Sequence, residues 1–195
     1  MNKRITVNNN INIYSIFIVL MENIHVIDNF LENNELEIVT NILNNKSWSF
    51  YHTSNGDVKH EIPFWSTVLN DDKYISEHVT RIIEKHYFKK FEILRVYCNA
   101  QTFGQDGAFH KDCDEDDCFT FCLYINRIKK EDIELSGGYI YFKIPDLKYK
   151  ICYEPINNRG ILFPSKYVHR SSSFSRFIMD MRMCIAWKLK EIKNI

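Results

Sequence analysis

The chain has 195 residues, which is enough for one domain with a sizeable hydrophobic core, and nothing in it suggests a second domain. Its 25 basic and 25 acidic residues balance, so no overall field would recruit nucleic acid or an anionic membrane. This balance favours a protein, peptide or small-molecule partner and disfavours nucleic acid and membrane binding. The 11 tyrosines and 14 phenylalanines suit a β-rich core better than a disordered segment.

The first twenty residues, 1–20, are predicted to be an N-terminal extension outside the fold. The run at 13–21 is apolar but too short to span a bilayer, and no small-residue cleavage site follows it. Residues 21–195, which open with MENIHVIDNF, are expected to form the single domain.

The N-terminal part of this domain, about 21–90, is predicted to be a helical buttress for a sheet, with a short strand at 24–27 before the first helix. Asn34 and Glu37 have capping-box spacing at the start of a first helix, and Asp71 or Asp72 can cap a second one. Both segments repeat apolar residues with the helical period, so each has one face that can pack on a sheet.

The remaining sequence predicts a β core. The aromatic stretch at 47–70 has two interpretations, packed loop aromatics or a wall that faces substrate. From residue 91 the pattern changes to short strands, predicted at 91–98, 108–113, 118–126, 138–144, 149–155, 160–163, 167–171 and 178–188. Eight strands after two helices predict a mostly β fold with supporting helices (α+β). Its core, about 91–190, is expected to be a double-stranded β-helix of the jelly-roll or cupin-like type with a ligand site in its mouth.

His110, Asp112 and His169 predict a metal site. Successive side chains of a strand alternate between its faces, so His110 and Asp112 project to the same side and can bind one ion. His169 lies in a second strand-like segment, and two imidazoles with one carboxylate form the facial triad of non-haem Fe(II) oxygenases. Three protein ligands leave positions open for O2 and an oxidisable cosubstrate, whereas a structural zinc site fills them.

The six cysteines include no C-x-x-C pair and are expected to be reduced, packed thiols of a reducing compartment such as the cytoplasm. Cys113 and Cys118 flank the H-x-D motif, so a zinc site that includes His110 is an alternative. That alternative leaves Asp112 and His169 without a common explanation.

Five motifs around these residues follow the order of a known superfamily. They are NAQTFGQDG (99–107), FTFCLYIN (119–126), GGYI (137–140), GILFPS (160–165) and RMCIAWKL (182–189). Through them, roughly the C-terminal half of the chain resembles the 2-oxoglutarate- and Fe(II)-dependent dioxygenases, and more narrowly their prolyl-4-hydroxylase-like branch and related phage-type members. The resemblance implies that His110, Asp112 and His169 are the metal ligands of the catalytic centre.

The resemblance also implies where 2-oxoglutarate binds. Its distal carboxylate needs a buried cation, and Arg182 has the place of the basic residue that the family uses. The interval between His169 and Arg182 is longer than in the prolyl hydroxylases, so Arg176 is the alternative anchor. Tyr124 matches a tyrosine that helps to hold the same carboxylate, although a packed core tyrosine is an equal interpretation. Two further candidates for cosubstrate binding share one strand face, Asn99 and Gln101.

The activity implied is decarboxylation of 2-oxoglutarate to succinate with O2, coupled to hydroxylation of a C–H bond. The favoured substrate is a prolyl or other protein residue, with a small molecule as the alternative. The sequence leaves open the oligomeric state and whether ascorbate is needed for sustained turnover.

Two other functions compete with this interpretation. An AlkB-type nucleic-acid demethylase is suggested by the R-x-x-x-x-x-R spacing of Arg176 and Arg182. The neutral pI argues against it, as would the acidic run DEDD at 114–117 if that run, rather than being a solvated turn, forms the pocket rim. A non-catalytic metal-binding β-helix module is the third possibility, and the complete triad argues against it.

Overall fold

The computed structural model describes residues 23–55, 60–144 and 148–193, so the predicted extension at 1–20 lies outside the described residues. The strands are β1 (His25–Ile27), β2 (Ser49–His52), β3 (Phe64–Val68), β4 (Phe91–Gln101), β5 (Cys118–Tyr124), β6 (Ile140–Lys143), β7 (Lys150–Tyr153), β8 (Gly160–Pro164), β9 (His169–Ser171) and β10 (Arg182–Glu191). The helices are α1 (Asn33–Asn44), a π-helix (Tyr74–Val79) that continues into α2 (Thr80–Tyr87), and a 3-10 turn (Lys130–Asp132) followed by α3 (Ile133–Ser136).

Two antiparallel sheets form the body of the protein. The larger has seven strands in the order β1-β8-β5-β10-β4-β3-β2, and the smaller has three in the order β7-β6-β9. The non-sequential order places the last strand, β10, at the centre of the larger sheet between β4 and β5. The predicted fold class, a mostly β core of two facing sheets with supporting helices, is confirmed.

Alternation along β10 explains why this sheet has a core on each face. Ile185, Trp187 and Leu189 are buried against the apolar side chains of α1, the π-helix and α2. Cys184 and Ala186, which alternate with them, belong to a second cluster that joins the larger sheet to Ile140 and Phe142 of the smaller sheet. Because successive strand residues point to opposite faces, one strand packs on the helices and lines the space between the sheets.

The N-terminal ninety residues contribute the predicted short strand, β1, and two strands that were not predicted, β2 and β3, in addition to the helices. β1 pairs with β8 at one edge of the larger sheet, and β3 pairs with β4 towards the other edge. β2 and β3 lie within the aromatic stretch at 47–70, which contains FWSTV, a run of β-branched and aromatic residues. None of the helices in the described ranges is long and apolar enough to cross a membrane.

The first helix begins slightly earlier than the sequence predicts. α1 starts at Asn33, and the backbone N–H of Glu32 donates to Glu35 Oε2 at 3.1 Å, so the capping box lies two residues before the predicted Asn34 and Glu37. The second predicted cap holds, because Asp72 Oδ1 accepts from the backbone N–H of Ile75 at 3.2 Å. Each helix therefore begins where a carboxylate satisfies backbone donors of its first turn.

Candidate metal centre and cosubstrate pocket

The three predicted metal ligands meet at one point. One ligand atom from each of His110, Asp112 and His169 lies within 4.8 Å of the others. His110 Nε2 is 3.3 Å from Asp112 Oδ1, and His169 Nε2 is 3.4 Å from Asp112 Oδ2. Two nitrogens and one oxygen at this spacing form the donor set that a facial triad requires.

The strand predicted at 108–113 is wrong, yet its two ligands still converge. This segment forms only an isolated antiparallel bridge, in which the His110 and His169 backbones exchange hydrogen bonds of 3.0 and 2.9 Å. The N–H of Asp112 then donates to Ser165 O at 3.0 Å instead of continuing along β9. A single bridge therefore sets the two histidines opposite each other, and Ser165 redirects the chain that carries the carboxylate.

Backbone carbonyls orient both imidazoles. His110 Nδ1 lies 3.0 Å from Ala108 O, and His169 Nδ1 lies 2.8 Å from Tyr167 O. A carbonyl only accepts, so each Nδ1 carries a proton, and in the neutral ring it is then Nε2 that keeps its lone pair. This is the tautomer that a metal ligand needs, with a carbonyl fixing the ring from behind.

Asp112 is held by a cation that sequence reasoning missed. Lys188 Nζ donates to Asp112 Oδ2, and Thr120 Oγ1 donates to the same oxygen at 2.6 Å. Burial alone would raise the pKa of Asp112, but Lys188 and the neighbouring histidines hold it well below its usual range. Lys188 is in the motif RMCIAWKL, and its position six residues after Arg182 on one strand places both on the face between the sheets.

Burial also acts on His169, whose pKa it lowers to about 4 against the attraction of Asp112. The imidazole is therefore neutral at physiological pH, which preserves the lone pair for a metal.

We expect the metal-free protein to lose stability as the pH falls from about 6.5 to about 4. In this pH window His169 binds a proton in the unfolded chain but not in the folded protein. Its contribution to the free energy of unfolding is therefore complete above pH 6.5 and declines below it. Over this pH range the free energy of unfolding should fall by roughly 3 kcal/mol. Denaturant titrations in the presence of EDTA would measure it, and His169→Gln should flatten the dependence. An equal slope in both proteins would contradict the assignment.

The space between the sheets forms a cavity of about 320 Å³ next to the triad. It is lined by His52, Thr53, Ser54, Arg95, Tyr97, Asn99, His110, Lys111, Asp112, Cys122, Ile140, His169, Ser171, Arg182, Cys184, Ala186 and Lys188. The stretch at 47–70 contributes to the wall through the end of β2 and the residues that follow, but none of its tryptophan, tyrosine or phenylalanine side chains lines the cavity. Asn99 Oδ1 is buried there without a hydrogen-bond partner.

Arg182 is a buried cation whose described partners are all neutral. It is 2% exposed, and its Nε donates to Gly138 O at 2.7 Å. Its two terminal nitrogens donate to Gln101 Oε1 at 3.0 Å and to Tyr124 OH at 3.3 Å. No carboxylate among the described residues lies within ion-pair distance of it. A buried charge without a counter-charge is costly, so this arrangement favours an anionic ligand in the cavity.

The structure brings the predicted cosubstrate residues together and separates the alternative. Gln101 is the register partner of Arg182 across β4 and β10, and Tyr124 approaches from β5 on the other side. Arg176 lies in the loop before β10, exposed, with its guanidinium over the ring of Phe177 at 5.0 Å. It does not line the cavity.

The acidic run at 114–117 does not form the pocket rim. None of its residues lines the cavity, and three lysines pair with it: Lys111 with Asp114, Lys166 with Asp116, and Lys190 with Glu115 and Asp117. The cavity is lined instead by basic side chains, and Asp112 is its one acidic lining residue in the described chain. The acidic run therefore gives no argument for or against any class of substrate in the cavity.

The alternative zinc site with His110 is also not formed. Cys113 and Cys118 group with Glu115, whereas His110 groups with Asp112 and His169. The cysteines in the described ranges are all unpaired thiols.

No family model matches the chain, and no curated protein matches it in sequence. Several solved structures, in contrast, are similar to it in fold. A Trichoplax adhaerens prolyl hydroxylase, solved in complex with a hypoxia-inducible factor oxygen-degradation-domain peptide, is 18% identical, with a TM-score of 0.62 over 90% of this chain and 87% of that one.

Two bacterial structures are similarly close. An oxidoreductase of the 2OG-Fe(II) oxygenase family from Burkholderia pseudomallei is 12% identical, with a TM-score of 0.65 over 91% of this chain and 90% of that one. A Pseudomonas putida prolyl-4-hydroxylase is 12% identical, with a TM-score of 0.63 over 92% of this chain and 98% of that one. These similarities show that the chain has the fold of the 2-oxoglutarate/Fe(II) oxygenases, and they confirm the predicted resemblance at the level of the fold.

Proposed function

We propose that the chain is an Fe(II)- and 2-oxoglutarate-dependent dioxygenase that hydroxylates a C–H bond on a protein or peptide residue. The observation that carries the proposal is the pairing of two features in one cavity: the His110, Asp112 and His169 donor set, and the buried guanidinium of Arg182 without a described counter-charge. A metal site alone would fit many proteins. A metal site facing a buried, uncompensated cation fits a cosubstrate that is both a chelator and a dianion.

The residues fit this metal and cosubstrate chemically. His110 and His169 would bind Fe(II) through Nε2, and Asp112 would supply the carboxylate. Three protein ligands leave the remaining positions for 2-oxoglutarate and O2. Arg182, aided by Tyr124, would bind the distal carboxylate of 2-oxoglutarate.

When bound with 2-oxoglutarate and O2, Fe(II) supplies the oxidative decarboxylation that yields succinate and the hydroxylation of a C–H bond. The chain supplies position and charge. Lys188 and Thr120 fix the carboxylate of Asp112 and keep it ionised. Burial keeps His169 neutral, so that the proton remains on Nδ1 and Nε2 stays free.

A protein or peptide substrate is supported by the similarity to prolyl hydroxylases, one of which was solved with a peptide. The nucleic-acid alternative loses its main support, because Arg176 is exposed and only Arg182 lines the cavity. The basic lining residues Arg95 and Lys111 favour a substrate segment that is neutral or acidic. We place the protein in a reducing compartment, since its thiols are unpaired in the described chain.

We expect anaerobically purified protein reconstituted with Fe(II) to form succinate from 2-oxoglutarate once O2 is admitted, even without a substrate. His110→Ala should lose this turnover because a ligand is removed. His78→Ala is the matched control, since His78 lies on the helical side and pairs with Glu35 at 3.1 Å. Succinate is measured by mass spectrometry.

Two outcomes of this experiment would contradict the proposal. Succinate that forms equally in His110→Ala would show that the triad is not the catalytic centre. Absence of both iron-dependent succinate and 2-oxoglutarate binding would overturn the enzymatic proposal and favour a non-catalytic metal-binding module.

A further inference from the structure

A second group of potential metal ligands lies beside the proposed iron site. Cys113 Sγ, Cys118 Sγ and a carboxylate oxygen of Glu115 all lie within 4.8 Å of one another. Cys113 and Glu115 lie in the short loop that leads from Asp112 into β5, and Cys118 is the first residue of that strand. Cys118 is 2% exposed, Cys113 is half-buried and Glu115 is exposed, so the group opens to solvent on one side.

The spacing suits a thiophilic divalent ion. In a tetrahedral zinc site with Zn–S near 2.3 Å and Zn–O near 2.1 Å, neighbouring donors are about 3.6–3.8 Å apart. The three donor atoms all lie within 4.8 Å of one another, at most about 1 Å beyond this spacing, and side-chain rotation in a short loop can close that difference. Two thiolates and one carboxylate prefer zinc-like ions over Mg²⁺ or Ca²⁺, because sulfur is a soft ligand.

The acidic run retains negative charge for a cation, because its four carboxylates at 114–117 pair with only three lysines. One of these lysines lies at the proposed site: Lys190 Nζ is 2.6 Å from Glu115 Oε2 and 3.9 Å from Asp117 Oδ2. The hydrogen bond with Lys190 uses one oxygen of Glu115 and leaves the other for an ion.

The cluster and Asp112 are both held by backbone hydrogen bonds to Ser165. The backbone N–H groups of Asp112 and Cys113 both donate to Ser165 O, at 3.0 and 3.4 Å, and the N–H of Ser165 donates to Cys118 O at 2.9 Å. Ser165 Oγ lies 2.9 Å from Thr120 Oγ1, which in turn donates to Asp112. An ion that joins Cys113 to Cys118 would therefore close the loop at the residue next to the carboxylate ligand.

We propose that Cys113, Glu115 and Cys118 bind one thiophilic divalent cation of the Zn²⁺ type, which clamps the loop that carries Asp112. This site is separate from the iron site and uses no residue of it. It is also independent of the proposed function, since binding here requires neither 2-oxoglutarate nor turnover.

The test uses Cd²⁺ alone, whose bonds to thiolates give an ultraviolet charge-transfer band. The protein carries His110→Ala and His169→Ala, so that the iron site cannot contribute, and is kept reduced with a phosphine. We expect one Cd²⁺ per chain with a band of two-thiolate intensity. Cys113→Ser should weaken binding at least about 100-fold, because loss of a ligand exceeds the 10–100-fold effects of residues behind ligands.

Further variants separate the site from general thiol binding. Glu115 is exposed, so Glu115→Gln should fold normally, and we expect it to weaken binding roughly tenfold, less than Cys113→Ser, because the amide oxygen of glutamine remains a neutral ligand. Cys152→Ser is the matched control, because Cys152 is an exposed cysteine on β7 of the other sheet and should leave binding unchanged. Bound Cd²⁺ should also slow amide hydrogen exchange across residues 112–118.

Three results would overturn the proposal. They are Cd²⁺ affinity unchanged in Cys113→Ser, an equal loss in Cys152→Ser, and absence of a thiolate band in the reduced protein. Unchanged amide exchange on Cd²⁺ binding would refute the clamp. None of these results bears on succinate formation, so failure here and failure of the enzymatic proposal are distinguishable.

Discussion

Asp112→Ala is expected to abolish turnover and to destabilise the protein at the same time. Turnover is lost because the carboxylate ligand is removed from the donor set with His110 and His169. Stability is lost because Lys188, a buried ammonium that donates to Asp112 Oδ2, is left without its counter-charge. Breaking a buried pair from one side costs about 3–5 kcal/mol.

A double variant separates the two effects. In Asp112→Ala/Lys188→Met the ammonium is replaced by an apolar side chain of similar length, so most of the lost free energy of unfolding should return. Succinate formation should stay absent, because no carboxylate is restored. Denaturant titration of the metal-free proteins and the succinate assay measure the two quantities.

Asp114→Ala serves as the control for loss of a carboxylate in the same segment. Its ion pair with Lys111 is exposed and should contribute little to stability. If Asp112→Ala proved as stable as Asp114→Ala, Lys188 would not depend on Asp112. If the double variant recovered turnover, Asp112 would not be a ligand.

The role of Lys188 shows what could be predicted from sequence and what could not. The H-x-D spacing indicated a metal site at His110 and Asp112, and the resemblance to the dioxygenases, through the motifs around it, identified His169 as the third ligand. The contact between Lys188 and Asp112 joins residues 76 positions apart. It depends on β10 lying between β4 and β5, a non-sequential arrangement that local periodicity does not encode. The contact between Thr120 and Ser165 joins residues 45 positions apart and likewise depends on a pairing of distant strands, β5 with β8.

The strands show the same contrast between what local patterns predict and what contacts between distant residues decide. Alternation predicted β5 and β10 and hence the two faces of the larger sheet. The segment at 108–113 looked like a strand, but only one of its residues makes a ladder bridge, because Ser165 takes its later backbone donors. β2 and β3 were missed because their aromatic residues also suit a packed loop, and edge pairing is decided by neighbours distant in sequence.

Arg182→Ala is expected to weaken 2-oxoglutarate binding by at least about 100-fold while leaving metal binding intact. Charge-assisted hydrogen bonds contribute about 1.5–3 kcal/mol each, and loss of two from one guanidinium gives a hundredfold or more. Arg182 bonds to Gly138, Gln101 and Tyr124 but not to the triad, so Mn²⁺ affinity should be preserved. Calorimetric titration of the Mn²⁺-loaded protein with 2-oxoglutarate measures the first effect, and titration with Mn²⁺ the second.

Two further variants decide whether Arg182 binds the cosubstrate or only supports the fold. Arg182→Lys keeps the charge but cannot form the planar fork, so its affinity for 2-oxoglutarate should lie between those of the wild type and Arg182→Ala. Arg176→Ala removes an exposed cation outside the cavity and should change nothing. An intact affinity in Arg182→Ala with a lost one in Arg176→Ala would transfer the anchor to the loop before β10. Loss of Mn²⁺ binding in Arg182→Ala would instead show that this arginine acts by holding the sheets together around the triad.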